Sequence, residues 1–412
     1  MAVSQRTSHG ADQRESGRQQ VFDAIRGAGR IARIDIARET QVSPATVTAI
    51  TSELLGAGLI EEVTPEEDRP GAKRGRPRVA LKVRGDAHLI AGIKIADRSA
   101  TVILVDFEGN TVGEYDQELP GPVMSPEEMV ALVRAALAGA CRAAGRSLIE
   151  VSGVGLGLAG LIDAARNFVH WSPSLDQRNV ELGRMLSDAL PVPFFMDNDA
   201  NLVAKAEQLF GQARNVSDFI VITIEQGVGM GIVIDGKIYR GERGCGAEFG
   251  HTKVQLDGAL CRCGQRGCLE AYVADYALAR EATTALNLMH KPGQPMHVLI
   301  ESLYDHAKAG NAAARSIFRR AGRYLAVGLA NLVNTFDPAV IILSGERMRY
   351  DFLYAADTLA EMDKLVLNTG RPGPPIEVHA WGDLLWAHGA AALALSWLTE
   401  GLFSPPREMA AQ

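Results

Sequence analysis

The chain has no stretch approaching the roughly 18 consecutive apolar residues that a membrane-spanning helix needs, and only five of its 412 residues are cysteine. Its first twenty residues (MAVSQRTSHGADQRESGRQQ) contain no apolar secretory core. Together these features predict a cytoplasmic chain with no membrane insertion and no disulfide framework. Hydrophobic residues at 47% and charged residues at 22% exclude collagen-like, coiled-coil and wholly disordered classes. The length leaves room for two or three domains. Three of the five cysteines, Cys261, Cys263 and Cys268, crowd into eight residues, a spacing that points toward a metal.

The net charge of -7 does not suggest a nucleic-acid partner, but the charge is unevenly spread. Residues 1–85 carry 14 Lys and Arg against 11 Asp and Glu, giving +3, while the remainder carries 28 against 38, giving -10. Residues 69–84 (RPGAKRGRPRVALKVR) hold seven basic residues and no acidic one, a density suited to phosphate contacts unless it is a solvated linker.

Upstream of that run, residues 1–17 are polar and aperiodic and are expected to form a disordered arm. Val21, Phe22 and Ile25 keep helical spacing before Gly27 and Gly29. A second apolar set, Ile31, Ile34, Ile36 and Ala37, predicts another short helix. Ser43 then stands as N-cap and Pro44 at the first position of a helix through Val47, Ile50 and Leu54 that stops at Gly56 and Gly58. This is a helix-turn-helix pattern. Its second helix exposes small residues (Pro44, Ala45, Thr46, Thr48) that allow close approach to base edges in a major groove. Strand-like residues near Glu62–Val63 and again at 79–83 bracket the basic run, so residues 18–84 read as a winged helix-turn-helix domain. Lys73, Arg74, Arg76 and Arg78 lie in its wing, with Gly-Arg-Pro at 75–77 suited to a minor groove. A protein-docking role for such a three-helix piece is the alternative.

From His88 onward, apolar strands alternate with helical stretches in two cycles, which predicts an α/β fold of two lobes around a cleft. Long helices are expected over about 269–330. Three segments there carry chemistry. His251 with Cys261, Cys263 and Cys268 offers one imidazole and three sulfurs, the ligand set of a closed, structural tetrahedral zinc site, and Gly264 and Gly267 permit the tight turn between them. Asn198 and Asp199 follow an apolar strand at the opening of a helix; they can hydrogen-bond a polyol, Asp199 can act as a base, or they can simply cap the helix. Glu248 and Glu270 flank the cysteine loop and read either as groups held toward a ligand or as surface charges.

The combination of a winged helix, an α/β lobe pair and the string EFGH(x9)CxCG(x2)GCxE resembles the ROK family, named for repressors, open reading frames and kinases. The resemblance runs from about residue 18 and extends to the xylose and N-acetylglucosamine repressors of that family. It implies a two-lobed, actin-like sugar-kinase fold over residues 85–405. It also implies sugar contacts from Gly160, Asn198, Asp199, Glu248, His251 and Glu270, and zinc ligation by His251, Cys261, Cys263 and Cys268. Two segments depart from the family's kinases. Lys94 stands where the first phosphate motif has Asp, and Glu225-Gln226-Gly227-Val228-Gly229-Met230-Gly231 replaces the glycine-rich second one. Side chains and a carboxylate there oppose a polyphosphate, so ATP turnover is not expected and Asp199 is at most a vestigial base.

The resulting expectation is a sugar-responsive repressor of carbohydrate genes that binds a double-stranded operator as a homodimer or dimer of dimers. The rival readings are a sugar kinase carrying a DNA-binding domain and a zinc-organised docking protein.

Overall fold

The computed structural model describes residues 17–63, 79–96, 98–214, 216–288, 296–345, 348, 351, 356–367, 370, 372–379 and 384–403. The residues divide into two compact units, one of Met1–Gly160, Arg166–Asp197 and Ala390–Gln412, the other of Leu161–Ala165 and Asn198–Gly389.

The first unit opens with α1 (17–28), which buries Val21, Phe22 and Ile25 completely. After β1 (Ile31–Ala32) come α2 (Arg33–Thr40) and α3 (Pro44–Gly56). Ser43 caps α3 as its sequence predicts, its hydroxyl accepting from the Thr46 N–H at 3.2 Å with Pro44 in the first turn. Gly58, at φ 69°, turns the chain out of the helix where L side chains are strained. The antiparallel strands β2 (Ile60–Val63) and β3 (Ala80–Val83) complete a small sheet ordered β1-β3-β2. Arg33 ties it together, donating from Nε to Thr51 Oγ1 and pairing through Nη2 with Glu62 at 2.9 Å. One expectation changes: Ile31 lies in β1 and Ile34 is 62% exposed, so of the apolar set read from the sequence it is Ile36 that α2 buries. Lys73, Arg74, Arg76 and Arg78 of the expected wing, residues 1–16 of the arm expected over 1–17, and residues 404–412 lie outside the described residues, whereas Gly17 belongs to α1.

The larger part of this unit is a five-stranded sheet ordered β10-β7-β4-β5-β6. At its centre β4 (Leu89–Ile95) pairs antiparallel with β5 (Ser99–Val105), which pairs with β6 (Thr111–Glu118). The chain then forms α4 (Pro126–Ala143), whose Ser125 and Glu128 make a reciprocal capping box. It returns as β7 (Val151–Leu158), parallel to β4. After β8 (Leu161–Asp163), which belongs to the second unit, follow β9 (Phe168–Trp171), α5 (Leu182–Ala189) and β10 (Phe194–Asn198).

The second unit repeats the scheme. After α6 (Asp199–Leu209), strand β11 (Phe219–Ile224) pairs antiparallel with β12 (Val228–Ile234), and β12 with β13 (Lys237–Tyr239). The helices α7 (Glu270–Val273), α8 (Asp275–Leu286), α9 (Met296–Lys308) and α10 (Ala312–Phe336) precede β14 (Val340–Ser344), which is parallel to β11. Then come α11 (Ala356–Leu365) and β15 (Ile376–His379), parallel to β14, giving the order β13-β12-β11-β14-β15. Every residue of β11 is buried, as a strand covered on both faces requires. The long helices expected over 269–330 are four separate helices. The first break falls at Ala274, whose extended backbone (φ -69°, ψ 159°) ends α7 and starts α8.

The chain ends its described course in α12 (Leu385–Phe403), nearly all apolar and buried through most of its length. Within the first unit its end seats α1. Phe22 meets Phe403 edge-on at 5.5 Å and Phe107 at 5.5 Å, and the Arg26 guanidinium lies 4.6 Å from the centroid of the Phe22 ring. Arg26 Nη2 donates to Thr399 Oγ1 at 3.2 Å, while its buried Nε has no hydrogen-bond partner among the described residues. Burial draws the Arg26 guanidinium down to about 10 against the opposing pull of Asp23, so it stays charged at neutral pH.

Candidate functional site

The short 3-10 turn Phe249–His251 follows β13 and is pressed onto β12: a Cβ on Gly250 would lie 2.3 Å from the Val228 carbonyl oxygen, so only glycine fits. This close approach fixes His251. The loop behind it folds on itself by Cys261 N–H to Gln265 O (2.8 Å) and Val254 N–H to Gly267 O (2.9 Å), with Gly264 and Gly267 at positive φ. The ligand atoms of His251, Cys261, Cys263 and Cys268 consequently lie within 4.8 Å of one another. Cys261 Sγ stands 3.7 Å from His251 Nδ1, and Cys263 Sγ 3.7 Å from Cys268 Sγ. A tetrahedral zinc with sulfur ligands at about 2.3 Å places neighbouring sulfurs about 3.8 Å apart, so the donor set and its spacing fit such an ion. Burial pushes the Cys261 thiol up to about 12, and a cation is what allows it to act as a thiolate. Lys253 brings Nζ to 3.1 Å from Cys268 Sγ and 3.0 Å from the His251 carbonyl, placing a positive charge beside the three sulfurs.

Beside this cluster lie three carboxylates. Glu270 opens α7, two residues after Cys268, and its Oε2 accepts from the Val228 N–H at 3.4 Å. A Cβ on Gly227 would come within 3.0 Å of the same oxygen, so the β11–β12 turn and Glu270 are in close contact. Asn198 caps α6, its Oδ1 accepting from the Asn201 N–H at 3.0 Å, and Asp199 Oδ1 accepts from the Ala200 N–H. The helix-capping role weighed from the sequence is therefore realised at Asn198. The Glu248 carboxyl is pushed up to about 7, first by desolvation and then by the charges of Asp199 and Glu270. Part of the Glu248 side chain remains exposed to water.

The stretch 225–231 differs from a loop. Glu225 to Gly227 form the tight turn, and the remainder is β12. Gly229 and Gly231 face α6, where a Cβ would lie 2.9 Å from Ala200 Cβ and 2.7 Å from the Ala200 carbonyl oxygen respectively. Their smallness serves helix packing. The Glu225 carboxylate rests against the end of β14, where a Cβ on Gly345 would lie 3.1 Å from its Oε1. Lys94 is the one half-buried residue of the otherwise buried β4.

Asn198, Asp199, Glu248, His251 and Glu270 belong to the second unit together with Cys261, Cys263 and Cys268, whereas Gly160 belongs to the first. There Gly160, at φ 125°, backs onto the Trp171 carbonyl oxygen, 2.2 Å from where a Cβ would be. On α3, Ser43, Pro44, Ala45, Thr46 and Thr48 are all exposed, while Val47, Ile50, Thr51 and Leu54 hold the opposite face in the core. Two residues of the metal loop's surroundings have no signal in the sequence. Lys253 looks like a surface lysine, and Tyr276 sits in a helical apolar pattern eight residues past Cys268. In the structure the Tyr276 hydroxyl lies 3.5 Å from Cys261 Sγ and 3.3 Å from Glu270 Oε1.

Comparison with known proteins agrees with this geometry. The DNA-binding transcriptional dual regulator NagC of Escherichia coli (strain K12) is 28% identical over 383 residues, 93% of each chain. A crystal structure of a ROK family transcriptional regulator, a homologue of the E. coli Mlc protein, superposes with a TM-score of 0.78 at 26% identity, covering 95% of this chain and 98% of that one. A ROK family glucokinase from Streptomyces griseus, solved with glucose and AMPPNP, gives a TM-score of 0.63 at 30% identity, covering 75% of this chain and 99% of its own. The ROK family profile matches residues 90–396. With three-quarters of its length matched in this way, the chain belongs to the ROK family.

Proposed function

We propose that this chain is a sugar-responsive, DNA-binding transcriptional regulator that represses carbohydrate-metabolism genes in the cytoplasm. One observation carries the reading: three helices and a three-stranded antiparallel sheet occupy residues ahead of the match at 90–396, and a ROK regulator covers 95% of the chain where a ROK glucokinase covers 75%.

In this reading Ser43, Pro44, Ala45, Thr46 and Thr48 approach base edges, while Lys73, Arg74, Arg76 and Arg78 contact phosphates or an adjoining minor groove. The effector is a sugar or sugar derivative. Asn198, Asp199, Glu248 and Glu270 accept hydrogen bonds from its hydroxyls, and the second ring nitrogen of His251 remains for a hydroxyl while Nδ1 faces Cys261 Sγ. A Zn2+ held by His251, Cys261, Cys263 and Cys268 supplies a structural cross-link. Its four-ligand shell leaves no open position for chemistry. The sugar acts by differential affinity, binding one arrangement of a homodimer, or dimer of dimers, better than the other and so changing its match to paired half-sites.

Kinase activity is not part of this reading. Lys94 replaces the carboxylate of the first phosphate motif and the Glu225 carboxylate repels a polyphosphate, although Asp199 keeps the chemistry of a base. Fluorescence anisotropy against the DNA upstream of its own gene, repeated with a panel of sugars and sugar phosphates, tests the proposal. Specific binding weakened by one sugar is expected. Absence of specific binding, with sugar-dependent ATP turnover lost in Asp199→Asn, would establish the kinase instead.

A further inference from the structure

Between the metal cluster and the carboxylates stands Tyr276, on the first turn of α8. Its hydroxyl is 3.5 Å from Cys261 Sγ and 3.3 Å from Glu270 Oε1, and the Cys261 thiol itself donates to Glu270 Oε1 at 3.5 Å, a bond that is lost when a metal displaces the thiol proton. The other oxygen of Glu270 is engaged by the Val228 N–H at 3.4 Å. The Tyr276 ring is fixed from its face by the Arg262 guanidinium, 4.1 Å from the centroid, and Arg262 lies between the two ligands Cys261 and Cys263 in the chain. A metal-bound sulfur and a carboxylate both only accept hydrogen bonds, so at 3.5 Å they repel unless a donor serves both. Tyr276 brings one O–H to that point.

We propose that Tyr276 is a positioning residue that shares its hydroxyl between Cys261 of the metal loop and Glu270 of the sugar side, so that occupancy of the loop by a divalent metal sets the geometry of the carboxylate that receives a polyol. The sugar half of this statement rests on the proposed function; the metal half does not. The partner chemistry is a thiolate-seeking dication on one side and a hydroxyl-rich ligand on the other.

The test uses the full chain and zinc alone as first probe. Zinc affinity is measured by chelator-dye competition for wild type, Tyr276→Phe, Glu270→Gln and the double variant. Outer-shell partners of metal ligands change affinity by about 10–100-fold, and Tyr276→Phe is expected to fall about tenfold, because it leaves sulfur and carboxylate facing each other without a donor. Glu270→Gln in the Tyr276→Phe background is expected to recover most of that loss by removing the facing charge. A packing defect would not be rescued in this way. Zinc affinity within twofold of wild type in Tyr276→Phe, or a double variant no better than Tyr276→Phe, overturns the proposal.

Glucose, N-acetylglucosamine and xylose are then titrated calorimetrically before and after zinc removal. Zinc removal is expected to weaken wild-type sugar binding more than that of Tyr276→Phe, and equal weakening overturns the coupling. Wild type binding no sugar of a wide panel would count against the proposed function, while the zinc affinities would still decide whether Tyr276 joins Glu270 to the metal loop.

Discussion

At the scale of single residues, the second unit holds its acidic groups under tension. Glu248 is raised from 4.5 to about 7 by desolvation and by Asp199 and Glu270, so it loses its charge as the pH falls through 7. A polyol bound through the ionised form therefore binds more tightly at pH 8 than at pH 6, by roughly tenfold if the ionised fraction alone governs. Calorimetric titrations across that range check this, and Glu248→Gln should flatten the profile. The metal loop gives a second prediction. Cys263→Ser removes one of three sulfurs from a site whose binding free energy is folding free energy, on the order of 10 kcal/mol for structural zinc. Zinc content by atomic absorption should fall below one per chain, with loss of sugar response, whereas full response without metal would refute a structural role for the ion. The clustering of His251, Cys261, Cys263 and Cys268 was legible in the sequence because their motif is compact. Tyr276 and Lys253 were not, since a residue that reaches its partner across a helix start or a loop leaves no spacing rule behind.

At the scale of elements, the fold depends on a few close approaches and caps. A Cβ on Gly155 of β7 would lie 1.8 Å from the Ala390 carbonyl oxygen, so backbone must move before any side chain fits there. Gly155→Ala is expected to destabilise the chain by about 3 kcal/mol, the upper end of overpacking costs, read by urea denaturation. Ser125→Ala removes half of the α4 capping box and is expected to cost about 1 kcal/mol in the same assay. Elements with strong periodicity or caps were readable in advance: the Ser43 cap falls where the sequence placed it, and the alternation of apolar strands and helices beyond His88 is present. Those it missed have physical reasons. The strand β6 alternates exposed and half-buried residues and reads as polar, and β13 and β15 are short edges of three and four residues. Ile34 keeps helical spacing yet points to water, because Ile31 belongs to a strand and shifts the buried face of α2.

At the scale of the whole molecule, the proposed reading head and the proposed sensor are parts of one chain with opposite charge balance, +3 over residues 1–85 and -10 beyond. Contact with DNA then falls to the basic wing while the acidic remainder is held off the phosphates. Replacing Arg74 and Arg76 with Ala should lower the slope of log affinity against log salt by about two, measured by anisotropy between 50 and 200 mM salt. An unchanged slope would remove those residues from the interface. Sedimentation with and without operator DNA should show an even number of chains per bound site if half-sites are read by two-fold symmetry.

The seat of α1 also sets an order in time. Arg26 and Thr399 are 373 residues apart in the chain, and Phe403 follows Thr399 by one turn of α12. At about 5–20 residues per second, a ribosome takes roughly 20–75 seconds to travel between them. Until that interval ends, α1 lacks both the Thr399 hydroxyl and the Phe403 ring that it rests on. A chain that stalls before residue 390 has neither of them. Birth order thus places the full seating of α1 after translation has passed Phe403.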